Sequence, residues 1–251
     1  MNAPAVHEFF RKNQPQYCIN CAAYTAVDKA ETDRDAALLI NAVGPMVLAS
    51  ECSAHNSRLI HISTDYVFDG ESTKPYMEDD AINPQTVYGS TKAEGERKVR
   101  EMSSEAMIIR TSWLYSVYGK NFVKTMLRLM KEKEEIGVVD DQRGTPTNAR
   151  DLAKAILNII HNCHSGKSEW NPGIFHYSNA GITSWYGFAK AIKEIANLSC
   201  VVKAITTEEY PTAAKRPEFS ALDCSKIVKT YGVEVRNWEE SLRECVEELI
   251  R

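Results

Sequence analysis

One feature constrains the fold more than any other: short apolar runs alternate along the chain with longer stretches of helical periodicity. A strand followed by a helix that returns to the next strand builds parallel βα units, so this alternation predicts an α/β fold. Residues 17–22, 58–63, 107–112, 136–139 and 173–178 read as strands. Residues 5–13, 33–55, 88–102, 120–133, 148–161, 184–196 and 238–249 read as helices, the second with a bend permitted at Pro45. Residues 69–84 form a polar loop rich in Gly, Pro and acidic side chains. No internal repeat or low-complexity linker interrupts the pattern. Roughly the last seventy residues lose the rhythm and read as a smaller lobe built onto the sheet.

Composition removes several functional classes. A mean hydropathy of -0.36 with 25% charged residues is that of a folded soluble chain. No uninterrupted apolar run approaches the ~18 residues of a membrane span, and Met1 to Lys12 lack the apolar core of a secretory signal. No membrane is therefore expected as a partner. A net charge of -4 and a pI near 5.9 argue against nucleic acid. Seven cysteines, an odd and scattered set, are not a disulfide framework and imply a reducing, cytoplasmic setting. Cys18 and Cys21 lie three apart in an apolar strand, on opposite faces, and are expected as buried structural thiols rather than a metal or redox pair. His161 and His164 close a helical pattern, where imidazoles suit the helix dipole better than they suggest a metal cluster.

In a parallel sheet, function gathers at the C-terminal strand ends. Three such ends carry polar residues: Ala23-Tyr24-Thr25, Ser63-Thr64-Asp65 and Thr111-Ser112-Trp113. Just beyond the second comes Tyr88-Gly89-Ser90-Thr91-Lys92, a Y-x-x-x-K that puts both side chains on one helix face. With 11 Tyr and 17 Lys in 251 residues, about 0.7 such pairs arise by chance, and the chain has a second, Tyr186/Lys190. Spacing alone thus decides nothing. The Thr64 strand end before it singles out Tyr88/Lys92, whereas Tyr186/Lys190 reads as part of an amphipathic structural helix. The chemistry suits carbonyl reduction. Hydride addition builds negative charge on a carbonyl oxygen, a phenol can protonate it, and a hydroxyl can donate to it. An ammonium about 4 Å away, at an effective dielectric near 20, is worth about 4 kcal/mol, enough to draw the Tyr88 phenol down towards 7.

The stretches Ile62–Gly70 and Pro84–Glu96 resemble an extended short-chain dehydrogenase/reductase. With Asn20–Glu31, Arg110–Tyr115, Gln142–Thr147 and Arg216–Asp223 they resemble, over nearly the whole chain, the dTDP-4-dehydrorhamnose reductase family. The resemblance implies a Rossmann-type sheet, NADPH or NADH as cofactor, and reduction of the 4-keto group of a nucleotide sugar. It leaves open a requirement for a divalent metal. Carried over by position, Tyr88 matches the proton donor, and Lys92 its partner, which also holds the nicotinamide ribose. Thr64 and Asp65 match groups beside the reacting sugar, and Trp113 an aromatic packed on it. Ala23, Tyr24 and Thr25 match the strand end lining the dinucleotide, while Asn121, Gln142 and Arg216 are expected to face the nucleotide diphosphate. The family opens with a glycine-rich loop whose backbone meets the cofactor pyrophosphate at a helix N-terminus. Here the first of 12 glycines is Gly44. The expectation is an N-terminally truncated Rossmann-type parallel sheet, short of roughly 40 residues, with a smaller C-terminal substrate lobe. Residues 1–114 and 146–180 would form the incomplete dinucleotide-binding domain, and 115–145 and 181–251 the substrate lobe. The expected partners are a nucleotide sugar and further copies of the chain. Two alternatives stay open: a non-catalytic relative of the methionine adenosyltransferase regulatory-subunit type, and another nucleotide-sugar reductase or epimerase.

Overall fold

The computed structural model describes residues 2–251. Helix α1 (Ala3–Asn13) leads into β1 (Tyr17–Asn20). Next come α2 (Val27–Ala30) and a continuous helical rod: α3 (Arg34–Leu38), a π-helical turn (Leu39–Val43) and α4 (Gly44–Ala54). They are followed by β2 (Arg58–Thr64), α5 (Val87–Met102), β3 (Met107–Thr111), β4 (Leu114–Tyr115), α6 (Phe122–Glu132), β5 (Glu135–Val139), β6 (Arg143–Gly144) and β7 (Thr147–Asn148). The chain ends with α7 (Ala149–His164), β8 (Gly173–His176), β9 (Thr183–Ser184), α8 (Trp185–Ile195), β10 (Val201–Ile205), α9 (Ser225–Tyr231) and α10 (Trp238–Ile250).

Strands β1, β2, β3 and β8 form one parallel sheet in that order. Alternate residues feed its two faces. Ile60, Met107 and Ile109 pack against Leu152, Ile156 and Ile159 of α7 and Ile227 and Tyr231 of α9. Leu59 and Ile108 face Ala49 and Cys52 of α4, Val99 of α5 and Phe10 of α1. A second core lies among α6, α8, α10 and β5, around Met126, Leu127, Phe188, Ile192, Leu242 and Val246. The substrate lobe drawn from sequence ran through 181–251, yet Ile227, Tyr231 and Val233 return to the sheet. Both α9 and β10, which pairs with β5, fall where the sequence shows no clear periodicity.

The expectation of two buried thiols near the first strand is corrected. β1 is a sheet edge and stops at Asn20, so Cys21 lies past its end and is exposed, and Ile19 is 40% exposed. Only Cys18 turns inward, beside Cys52 of α4. The statement about membrane-length stretches also needs refinement. The rod Arg34–Ala54 is, by length and composition, apolar enough to cross a bilayer. Ala37, Asn41, Ala42, Gly44, Pro45, Ala49 and Cys52 are buried while Leu38, Leu39 and Ile40 are exposed, so the rod packs along one side, and Pro45 falls in the first turn of α4, where proline is tolerated. His161 and His164 occupy the last turn of α7.

Candidate active site

Helix α5 lies unusually close to its neighbours because two of its residues have no side chain. A Cβ on Gly89 would come within 2.2 Å of the Tyr66 carbonyl oxygen, and one on Gly95 within 2.1 Å of the Asn41 carbonyl oxygen. Both obstacles are backbone and cannot yield. Thr86 caps the helix, accepting from the Gly89 N–H at 3.0 Å. At mid-helix, Glu96 takes two hydrogen bonds from Arg110 of β3, at 3.0 and 2.7 Å, and both side chains are buried. Such a bidentate pair sets the rotation of α5 against the sheet.

That rotation aims Tyr88 and Lys92 at the C-terminal ends of β1, β2 and β3. There a cleft of about 210 Å³ is lined by Cys21, Ala23 and Thr25 after β1, Ser63 to Tyr66 at the end of β2, and Thr111 to Leu114 after β3. All three polar strand ends read from sequence meet at this cleft. The Thr64 hydroxyl donates to Asp65 Oδ1 at 2.9 Å and accepts from the Tyr66 N–H at 3.2 Å, capping the short helical turn Asp65–Val67. The Tyr66 ring stands edge-on to the Tyr88 ring, 5.4 Å between centroids. Lys92 is buried; its Nζ donates to the Ile62 carbonyl at 2.6 Å and lies 3.5 Å from His61 Nε2.

The electrostatics overturn one expectation. Burial pushes the Tyr88 phenol up to about 12, with neighbouring Thr64 working the other way and the Asp65 carboxylate adding to the rise. Lys92 does not draw it towards 7, because burial acts on the lysine too and brings it down to about 8. Its ammonium gives one of its three N–H donors to the Ile62 carbonyl. Burial likewise raises Asp65 to about 6 and keeps His61 neutral.

Trp113 lines the cleft with a positive φ of 46° and stacks on Trp185, centroids 3.5 Å apart and planes 6° from parallel. Tyr24 does not line the cleft; its hydroxyl donates to Asp33 at 2.9 Å, and its backbone is fixed by Asn41. Arg216 pairs with Asp28 at 2.5 Å beside Tyr66, Gln85 and Thr86, and its buried Nη1 has no partner. Besides Tyr24 and Arg216, two more of the expected residues do not line the cleft. Asn121 caps α6 and donates to the Ser116 carbonyl at 2.6 Å, and Gln142 donates to Thr207 at 3.0 Å. Their amides are used on local backbone and loop groups. Sequence reasoning missed Asn41, which sits in the π-helical turn. It accepts from the Tyr24 N–H at 2.8 Å and donates to Thr91 of α5 at 3.1 Å. A lone buried amide in the apolar run Ala36–Val43 is the signal that could have found it.

A parallel sheet with a half-buried tyrosine and a buried lysine one helical turn apart over a hydroxyl-bearing strand end defines the class: an oxidoreductase fold of the short-chain dehydrogenase/reductase type. The sequence profile of a family described as RmlD substrate binding domain matches residues 1–251. The chain is 43% identical to a dTDP-4-dehydrorhamnose reductase of Aggregatibacter actinomycetemcomitans over 249 residues, 96% of this chain and 84% of the relative. It is also 43% identical to the spore coat polysaccharide biosynthesis protein SpsK of Bacillus subtilis, over 97% of this chain and 83% of that protein. Among solved structures, a dTDP-4-dehydrorhamnose reductase of Clostridium acetobutylicum superposes with a TM-score of 0.94 at 45% identity, covering 100% of this chain and 86% of that one. The Bacillus anthracis enzyme in complex with NADP superposes with a TM-score of 0.92 at 41% identity, covering 98% and 85%. The chain belongs to the dTDP-4-dehydrorhamnose reductase family.

Proposed function

We propose that this protein reduces the 4-keto group of dTDP-4-dehydro-L-rhamnose to give dTDP-L-rhamnose. The observation that carries the reading is the convergence of Thr64, Tyr88 and Lys92 on one cleft at the strand ends. A nicotinamide cofactor, NADPH or NADH, fits that cleft. Ser63 Oγ, Asp65 Oδ2 and Thr111 Oγ1 are buried there without hydrogen-bond partners, an arrangement that favours a polar ligand. When bound, the cofactor supplies the hydride. Ala23 and Thr25 would line it, and Lys92 would hold its ribose.

Tyr88 holds the proton. A phenol near 12 stays protonated at neutral pH. The alkoxide that forms on hydride addition is more basic than a phenolate, so transfer from Tyr88 runs downhill. Thr64 donates to the same oxygen, which requires its hydroxyl to leave Asp65 Oδ1. Lys92, one helical turn away, acts through the ribose it would hold rather than by lowering the phenol. Asp65 and Trp113 flank the sugar. Arg216, with an unpartnered buried nitrogen, would meet a diphosphate oxygen. Asn121 and Gln142 carry no such role in this reading.

The test is turnover of the 4-keto sugar nucleotide, read as loss of reduced-nicotinamide absorbance. It would use the 251-residue chain and a fusion carrying the part of the Clostridium acetobutylicum relative that this chain does not cover. Cofactor-dependent reduction by the fusion is the expected result. A folded fusion that binds cofactor but leaves the sugar unreduced would overturn the reading.

A further inference from the structure

At the opposite end of the sheet from the cleft, α1 and the end of α4 bring together three donors that the reductase reading does not use. Glu51 and His55 are four residues apart, at the last turn of α4, and so share one helix face. His7 approaches from α1. Its Nδ1 lies 3.1 Å from Glu51 Oε2, and His55 Nε2 lies 3.6 Å from the same oxygen. All three candidate ligand atoms fall within 4.8 Å of one another. The two imidazole rings, centroids 6.1 Å apart and tilted by 54°, converge without stacking.

We propose that His7, Glu51 and His55 form a binding site for a divalent transition-metal ion of the zinc type. Ligands 2.0–2.2 Å from a tetrahedral zinc are about 3.3–3.6 Å from one another, so small side-chain adjustments bring the three atoms into place. Two imidazoles and one carboxylate are borderline donors that suit zinc, cobalt or nickel better than magnesium or calcium. Two neutral imidazoles with one carboxylate leave a net negative charge, and the negative end of the α4 dipole adds to it. A cation relieves both. The Glu51 and His55 side chains are held at 16% and 20% exposure, while His7 at 59% leaves an entry route. The fourth position stays open to water.

The site has a structural role. His55 directly precedes the segment entering β2, whereas Thr64 ends that strand, seven residues or about 20 Å along it. A metal at His7 therefore clips α1 onto α4, over the Phe10 side chain packed 5.9 Å from His55, and leaves the cleft alone.

The experiment titrates the chelator-stripped, untagged full chain with Zn²⁺ by calorimetry, and with Co²⁺ by absorption. The expected result is one ion per chain and a rise of several degrees in Tm at a hundredfold excess over Kd. His7→Ala, His55→Ala and Glu51→Gln should each weaken binding more than about tenfold and abolish the shift. The cobalt spectrum should lack a thiolate charge-transfer band. His7→Ala lies on an exposed helix face and keeps the apo Tm, so its loss of binding reports ligation and not unfolding. Absence of binding overturns the proposal. So does binding that survives His7→Ala and His55→Ala, or a thiolate band, which would assign the ion to a cysteine such as Cys21.

Discussion

The chain contains the same five-residue spacing twice, and the two copies share their local helical frame but differ in what lies beneath it. Tyr88/Lys92 and Tyr186/Lys190 each sit in the first two turns of a helix, each tyrosine is followed by glycine, and each helix is capped by a hydroxyl at its N-terminus. On α8, Lys190 is exposed and its ammonium lies 5.6 Å from the Tyr186 ring centre. On α5, Lys92 is 1% exposed and lies against the end of a central strand. Spacing sets which way two side chains point; the strand end beneath them sets what they can do.

Removing the two phenols breaks or sharpens that comparison most directly. In the fusion, Tyr88→Phe should lower turnover by about 10²–10⁴-fold, while Tyr186→Phe leaves it within about twofold. Parallel assays with saturating sugar nucleotide decide. Equal turnover in the two variants would remove the phenol from the mechanism.

The comparison also shows how far sequence carries. Alternating apolar runs were enough for the parallel sheet, because each strand is followed by a helix with strong periodicity. The cleft was legible because its polar groups sit at strand ends, positions fixed by the βα rule. The local partners of Asn121 and Gln142 were not, since an amide in a loop serves a helix cap or a neighbouring hydroxyl as readily as a ligand, and only distances separate the two. The acidity of Tyr88 was misjudged for a related reason. A pairwise charge argument leaves out burial, which raises the phenol and lowers the lysine together. β10 and α9 pack against partners distant in sequence and carry little pattern of their own.

A pH series tests the buried lysine. The native state sheds the Lys92 proton near pH 8, while the unfolded chain keeps it to about 10.5. The unfolded state therefore binds more protons across that window, and stability rises with pH by up to about 3 kcal/mol. Turnover moves the other way, falling as Lys92 loses its charge above about pH 8. Denaturant unfolding and kcat profiles of the parent against Lys92→Met isolate both trends. A parent whose two profiles match those of the variant would show that Lys92 does not titrate there.

The glycines after the two tyrosines give a smaller contrast. A Cβ on Gly89 meets a backbone oxygen at 2.2 Å, and one on Gly187 meets the Thr183 hydroxyl at 2.5 Å, at the end of a side chain that can rotate. Gly89→Ala should cost about 1–3 kcal/mol and reduce turnover by shifting α5, and Gly187→Ala less than about 1 kcal/mol. Urea midpoints compare them, and a larger loss at Gly187 would contradict the rigid contact at Tyr66.

The smallest effect joins the two regions. Trp185, one residue before Tyr186, is the platform on which Trp113 stacks. The helix with the non-catalytic pair thus supports a wall of the cleft. Trp113 holds a φ of 46°, a left-handed conformation that a bulky residue adopts at a cost of about 1–3 kcal/mol. Stacking returns about 0.5–1.5 kcal/mol beyond the area buried. Trp113→Gly removes strain and stacking together, so Tm should change by only a few degrees. If Trp113 packs on the sugar, KM for the sugar nucleotide rises severalfold while kcat is nearly kept. A core aromatic behaves oppositely, losing about 3–5 kcal/mol with KM unchanged. Trp185→Ala provides the cross-check. It leaves Trp113 in the cleft without its platform, so a rise in KM smaller than that of Trp113→Gly would mean that Trp113 itself, and not the stacked pair, meets the substrate.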